Sequence, residues 1–273
     1  MTVAETVRSR YAEVMDRVAN AAVGNSRRAS DVMVVAISKY AELDDVRELL
    51  ELGHIDFGES RTQQLVQRAS IVEEWVARRR SMRRVNASAT EEASLTGGRF
   101  PNEVRWHMIG HLQRNKAKKT IEHVRLVHSV DSLRLIEEIQ TAAMKLDTVA
   151  DVLVQVNCSG EKSKYGCAVA AASHLAEQME TMMHIRARGV MTMAPHVEDP
   201  EDARDTFYRC VEVYNDISKR GIGDEHFNIL SMGMSNDYEV AIDCGSNLVR
   251  LGGAIFGPRK LVSEEDGEDE SGN

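Results

Sequence analysis

Two periods of apolar and polar positions run along this chain. Val3, Val7, Tyr11, Val14, Val18 and Ala22 recur at steps of three and four, which predicts a helix over residues 3–23 that ends at Gly24-Asn25. A different pattern follows at 32–37, a continuous apolar run rich in β-branched residues, as in strands of a parallel sheet with both faces covered. Similar short runs predict strands at 54–57, 105–109, 125–129, 151–156 and 185–191, around Ile229 and around Val249. Helical patterns separate most of them, at 43–52, 61–69, 133–145, 168–183, 203–220 and 238–244. Asp131-Ser132 supplies cap residues for the helix at 133, and Ser235-Asn236-Asp237 for the helix at 238.

Eight strands alternating with helices predict an α/β fold, a (β/α)8 TIM barrel, with an open doubly wound sheet as the alternative. Two features favour the barrel. No G-x-G-x-x-G follows the first strand, and the Gly- and Ser-containing turns fall after strands seven and eight, a frequent phosphate position in barrels. No helix of ordinary length follows strand eight, so the N-terminal helix is expected to cover that gap. The expected organisation is one barrel domain over residues 1–260, with a surface insertion at about 70–102 and an acidic, disordered tail at 261–273.

Composition narrows the function classes. The net charge is −9, and six acidic residues lie in the tail, so the body stands near −3. A near-neutral body argues against a broad nucleic-acid footprint. The run Arg78-Arg79-Arg80 with Arg83-Arg84 reads as a solvated helix face. No apolar run approaches membrane-spanning length. The four cysteines, at 158, 167, 210 and 244, show no C-x-x-C spacing, which predicts free thiols, a reducing compartment and no zinc. The expected location is the cytosol, with an organelle as the alternative.

In a barrel, chemistry sits at the C-terminal ends of the strands. Here those ends carry Lys39, Glu59-Ser60, His111, Ser129 to Asp131, Asn157 with Lys164, Thr192, Ser231 to Ser235, and Arg250 followed by Gly252-Gly253. Adjacent glycines let backbone approach a ligand, and Ser235 puts a hydroxyl on the rim of the same cup. A lysine amine can form a Schiff base with an aldehyde, and the cup can hold that aldehyde's phosphate. Pyridoxal 5′-phosphate (PLP) unites these features. The letters alone fit a generic phosphosugar barrel equally, or two ordinary turns.

Longer segments then carry a resemblance. They are Val35-Ala-Ile-Ser-Lys39, Phe57-Gly-Glu59, Trp106-His-Met-Ile-Gly-His-Leu-Gln113 with Asn115-Lys116, and Ser129-Val-Asp-Ser132. They continue with Val154-Gln-Val-Asn157, Ser159-Gly-Glu161, Ser163-Lys164, Gly189-Val-Met-Thr192, Leu230-Ser-Met-Gly-Met-Ser235, and Val249-Arg-Leu-Gly252 with Ile255-Phe-Gly257. Jointly, over about 32–259, the chain resembles the YggS/PROSC family of PLP homeostasis proteins. The resemblance implies a fold-type-III barrel similar to the N-terminal domain of alanine racemase. It implies Lys39 as the Schiff-base residue and Ser235, Gly252 and Gly253 as phosphate holders. It implies Arg250 opposite the pyridine nitrogen, with Ser231, Met232 and Met234 lining the floor. Two positions depart from the family pattern. Ser60 stands where Asn is usual, which shortens that side chain's reach toward the cofactor. Gly253 replaces a frequent Ser or Thr, losing a hydroxyl and keeping the N–H.

Two function classes compete: a PLP carrier that stores, buffers or delivers the cofactor, and a PLP-dependent amino-acid racemase. A racemase needs a second acid/base on the cofactor's far face, which alanine racemase draws from a C-terminal β-domain. The sequence after Gly257 is expected to offer none, which favours the carrier, with no catalytic residue of its own. The expected partners are PLP and apo forms of PLP enzymes, and the expected state is a monomer.

Overall fold

A computed structural model describes residues 6–87, 100–101 and 103–258. Strand β1 (Met33–Ile37) pairs on one side with β2 (Asp56–Glu59) and on the other with β9 (Leu248–Leu251). From β2 the sheet continues through β3 (Arg105–Met108) and β4 (Val124–Val130). From β9 it continues through β8 (Ile229–Ser231), β7 (Ile185–Met191) and β5 (Ala150–Asn157). A β4–β5 pairing closes the ring, and every pairing is parallel. The eight predicted strands therefore form the closed barrel rather than the open sheet. A two-residue strand β6 (Cys167–Ala168) adds to the end of β5; it is too short to leave a periodic signal.

Helices α1 (Val7–Gly24), α2 (Leu43–Glu51), α3 (Thr62–Ala87) and α4 (Ala117–Ile121) precede β1, β2, β3 and β4 respectively. Helices α5 (Leu133–Lys145), α6 (Val169–Glu180), α7 (Arg204–Lys219) and α8 (Tyr238–Asp243) follow the later strands. Among the described residues, β9 is followed by the four-residue α9 (Gly253–Phe256) alone. Helix α1 fills that place, as expected, against α8 and α9. Its Arg10 donates to Ile255 O at 2.9 Å and Phe256 O at 3.1 Å, satisfying carbonyls at the end of α9. Val7, Val14, Val18 and Ala22 form its buried stripe.

Helix α3 runs through the first part of the expected 70–102 insertion. Residues 88–99 and the acidic tail lie outside the described residues. In the basic run on α3, Arg78 pairs with Glu74, and Arg79 Nε lies 2.7 Å from Glu51 Oε1.

Alternate strand residues face the barrel interior. Val35, Ile37, Leu126, Leu153, Met191 and Leu248 form an apolar plug there. Below the plug, at the N-terminal ends of the strands, the floor is ionic. Asp151, only 3% exposed at its side chain, meets Arg125 at 3.1 Å, Arg186 at 3.1 Å and Arg188 at 2.8 Å. Asp56 meets Arg105. Where β7 crosses close to β8 the backbone needs glycine: Gly189 has φ +146°, and a Cβ there would stand 1.7 Å from Ile229 O. The chain thus seals the bottom of the barrel and leaves the C-terminal face to carry the site.

Candidate functional site

Lys39 follows β1, and Gly252-Gly253 follow β9. Because β1 and β9 are neighbours in register, with Ala36 opposite Leu251, the lysine and the glycines reach the same part of the rim. Both border one cavity of about 270 Å³, with Ile37, Tyr40 and Phe256 in its wall. Lys39 is exposed, and its Nζ lies 5.0 Å from the centroid of the Tyr40 ring.

Ser235 enters from the β8–α8 loop. Its Oγ accepts from the backbone N–H of Gly252 at 3.3 Å and of Ala254 at 3.1 Å. Of the three cap residues expected for the helix at 238, Asp237 takes the N-cap position and Ser235 is engaged elsewhere. In that helix's own turn, Asp237 Oδ1 accepts from Met234 N–H at 2.6 Å, and no side chain caps α8. Ser235 is released to cap α9 instead. The loop can turn this tightly because Gly233 takes φ +95°, where a Cβ would stand 2.6 Å from Ala241 Cβ. A Cβ on Gly253, by contrast, would meet only Ser235 Oγ, at 3.9 Å. The cup is therefore open above Gly253, lined by a hydroxyl and backbone N–H groups, which suits a small anion such as phosphate.

Arg250 lies on β9 with its side chain inside the barrel, 4% exposed. It donates to Ser231 Oγ at 2.7 Å and to Thr192 O at 2.9 Å. Burial lowers its pKa to about 10, against the pull of the Asp237 carboxylate, so it stays a cation at neutral pH. Ser231 and Met232 are fully buried, and Met234 is half-buried beside Ser235. The predicted floor residues thus divide: Ser231 contacts Arg250, whereas Met232 belongs to the core outside the barrel. Ser60 is half-buried after β2 and packs its backbone against Gly110, whose Cβ would stand 2.2 Å from Ser60 O.

For several residues the partners are visible only in the structure. Glu59 is fully buried next to the lysine loop. Ser38 donates to its Oε1 at 2.7 Å, Arg68 Nε approaches at 2.9 Å, and its Oε2 has no partner. Burial raises its pKa, while Ser38, Arg68 and Lys39 oppose that rise. His107 and His128 also lie inside the barrel, linked to Ser231. A histidine within an otherwise apolar run, as in Arg105-Trp-His-Met and Leu-Val-His128, was the available sign that a buried polar partner faces it. On the opposite side of the rim, the rings of His111 and Tyr165 stack at 4.5 Å. Among the described residues no group of His, Cys, Asp and Glu is placed to hold a metal.

The closed parallel barrel, with its binding groups gathered on one face, defines the class. The chain belongs to the family described as alanine racemase, N-terminal domain, with residues 27–260 matched. It is 31% identical over 252 residues to the pyridoxal phosphate homeostasis protein of Aquifex aeolicus, which covers 92% of this chain and 97% of the relative. The crystal structure of an unknown protein from Bifidobacterium adolescentis superposes with a TM-score of 0.79 at 31% identity, covering 92% of this chain and 94% of that one. PipY of Synechococcus elongatus, solved with PLP bound, has the same fold at 24% identity, with a TM-score of 0.69 and coverage of 89% and 100%.

Proposed function

We propose that this chain binds pyridoxal 5′-phosphate and serves its homeostasis, holding and releasing the cofactor without amino-acid turnover of its own. One observation carries the reading. Lys39 and the Ser235–Gly252–Gly253 cup border one part of the rim, after neighbouring strands. The name of the Aquifex relative, which matches over 97% of its length, supports it.

The residues fit the group. PLP, when bound, supplies an aldehyde for covalent attachment and an electron sink for carbanion chemistry. Lys39 would be the amine that takes the aldehyde. Ser235 Oγ and the N–H groups of Gly252 and Gly253 would hold the phosphate. Arg250 would face the pyridine nitrogen. A guanidinium that keeps its protons donates to that nitrogen and does not protonate it, so Arg250 leaves the electron sink weak. Ser60, shorter than the usual Asn and half-buried, would give a weaker contact.

The racemase alternative draws on the His111–Tyr165 stack, since a rim tyrosine is the type of group that could serve the far face. The Tyr165 ring stacks on His111 and the Tyr40 ring lies under the Lys39 amine, so Tyr165, away from the lysine, is the residue the turnover arm of the test addresses. We further propose a cytosolic monomer that passes PLP to apo-enzymes.

The test has two arms. Borohydride treatment of PLP-loaded protein is expected to fix the label on Lys39; label on another lysine, with Lys39 unmodified, overturns the assignment. Loaded protein incubated with L- and D-alanine in deuterated water is expected to transfer PLP to an added apo-enzyme without α-proton exchange. Exchange at several turnovers per second overturns the carrier reading in favour of the racemase.

A further inference from the structure

A chain of side-chain hydrogen bonds crosses the barrel interior from Arg250 toward the floor. Arg250 reaches Ser231 Oγ at 2.7 Å, and Ser231 Oγ lies 3.1 Å from His128 Nδ1. His128 Nε2 lies 2.9 Å from His107 Nδ1, and His107 Nε2 lies 3.2 Å from Asp56 Oδ1. Every member is buried: Ser231 and His128 at 0%, His107 at 2%, Arg250 at 4% and Asp56 at 6% exposure. At the floor, Arg105 also pairs with Asp56.

The direction of the chain follows from donor and acceptor capacity. A guanidinium only donates, so Ser231 Oγ accepts from Arg250. The Ser231 hydroxyl proton then needs an acceptor of its own, since a buried polar group without a partner is costly. Among its hydrogen-bond partners only His128 Nδ1 can accept it. His128 is then neutral, with its proton on Nε2, donating to His107 Nδ1. That leaves the His107 proton on Nε2, facing the Asp56 carboxylate. The reverse order fails at Ser231, where the hydroxyl proton would have no acceptor. Burial, together with the charge of Arg250, lowers the His128 pKa well below its ordinary value, in agreement with the neutral ring. Burial alone would raise the Asp56 carboxyl, but the His107 hydrogen bond and the Arg105 charge bring it below the ordinary range. The chain thus runs one way, from a cation beneath the site to an anion at the floor.

We infer that His128, His107 and Asp56 are positioning residues for Arg250: they keep the Ser231 oxygen turned toward the guanidinium and so set the pose in which Arg250 meets the cofactor ring. The inference rests on the PLP reading above and adds three residues, His128, His107 and Asp56, to which neither the strand ends nor the resemblance gave a role. Thr192 O holds the other side of the guanidinium, so the pose has two anchors, of which only the Ser231 anchor depends on a proton's position. These residues touch no ligand themselves; they act through Ser231.

The first measurement needs no cofactor. Long-range nitrogen–proton NMR of the unligated protein, with labelled histidine, is expected to show His107 and His128 both neutral with the proton on Nε2. A proton on His128 Nδ1, or a doubly protonated His128, overturns the inference. Asp56→Asn replaces the anion with a neutral acceptor, and is expected to weaken the His107 Nε2–H hydrogen bond, read as an upfield shift of that proton with both tautomers kept; an unmoved proton shift overturns the part assigned to Asp56. The second measurement compares His128→Leu with His128→Asn in PLP-loaded protein. Asn keeps an acceptor near the Nδ1 position, and Leu does not. Loss of PLP is expected to be about tenfold faster in the Leu variant, as for one hydrogen bond to a charged group, and largely restored in the Asn variant. Equal behaviour of the two, with wild type labelled at Lys39, overturns the inference alone. Wild type that takes no label at Lys39 overturns the PLP reading and the inference with it, while the tautomer result stands independently.

Discussion

Ser235 Oγ accepts the backbone N–H of Ala254 at 3.1 Å, so a side chain from the loop after β8 caps the short helix after β9. The same oxygen takes Gly252 N–H at 3.3 Å. The two strand ends that form the cup are therefore tied to each other before any ligand arrives. Ser235→Ala is expected to lower PLP affinity by roughly 1–3 kcal/mol, the range for a hydrogen bond to a charged group. It should also cost the unligated protein about 1 kcal/mol as a lost cap. Spectroscopic titration and thermal melts of the apo form separate the two. A lower melting temperature with unchanged affinity would reduce Ser235 to a cap.

Gly252 tests the space rather than the donors. A Cβ there makes ordinary contact at 3.5 Å with Ile37 Cβ and Ile37 O, so the fold can accept it, but the γ-methyls of valine need more room. Gly252→Val is expected to weaken PLP binding more than Ser235→Ala, because the added carbons enter the phosphate's space. Titration of both variants side by side checks the order. The opposite order would move the phosphate away from β9.

Glu59 supplies a pH dependence with a definite sign. Burial raises its pKa in the folded state, so the folded protein binds that proton more tightly than the unfolded chain. Its contribution to stability is then fully present below the ordinary glutamate value and is lost as pH rises through the raised one. Glu59→Gln keeps the shape and removes the titration. The variant's melting temperature, relative to wild type, is expected to rise between pH 4.5 and pH 8. A fall over that interval would mean that the Arg68 ion pair outweighs burial.

Asp151 is the anion of the barrel floor, set among Arg125, Arg186 and Arg188. Replacing it with alanine leaves three guanidinium groups facing one another. Breaking a buried ion pair costs about 3–5 kcal/mol, and the partial exposure of these arginines puts the expected loss near the lower end. Urea unfolding of Asp151→Ala measures it. A loss under about 1 kcal/mol would show that solvent already screens the floor.

The eight strands and their alternation with helices were legible in the letters, because a strand buried on both faces writes itself as a β-branched run. The identity of the strand-end residues could be read there too, since Lys39, Ser235 and Gly252-Gly253 each terminate such a run. The place of α1 was legible as well: it packs against α8 and α9, beside the end of β9. Pairing between elements lay beyond the sequence. Which strand lies beside β1 follows only from closure of the barrel, and that pairing is what brings Lys39 to Gly252. Ser235 reads locally as one of three cap residues for the helix at 238, yet Asp237 closes that turn and the serine reaches α9, seventeen to nineteen residues on. Met232 sits within a site motif but points into the outer core, because adjacent strand residues face opposite ways. His107 and His128 lie 21 residues apart, on neighbouring strands, and only the register of β3 on β4 makes them partners. Hydrophobic period is a property of one segment and survives in the letters. Hydrogen-bond partnership is a property of two segments, and it exists only once the barrel has brought them together.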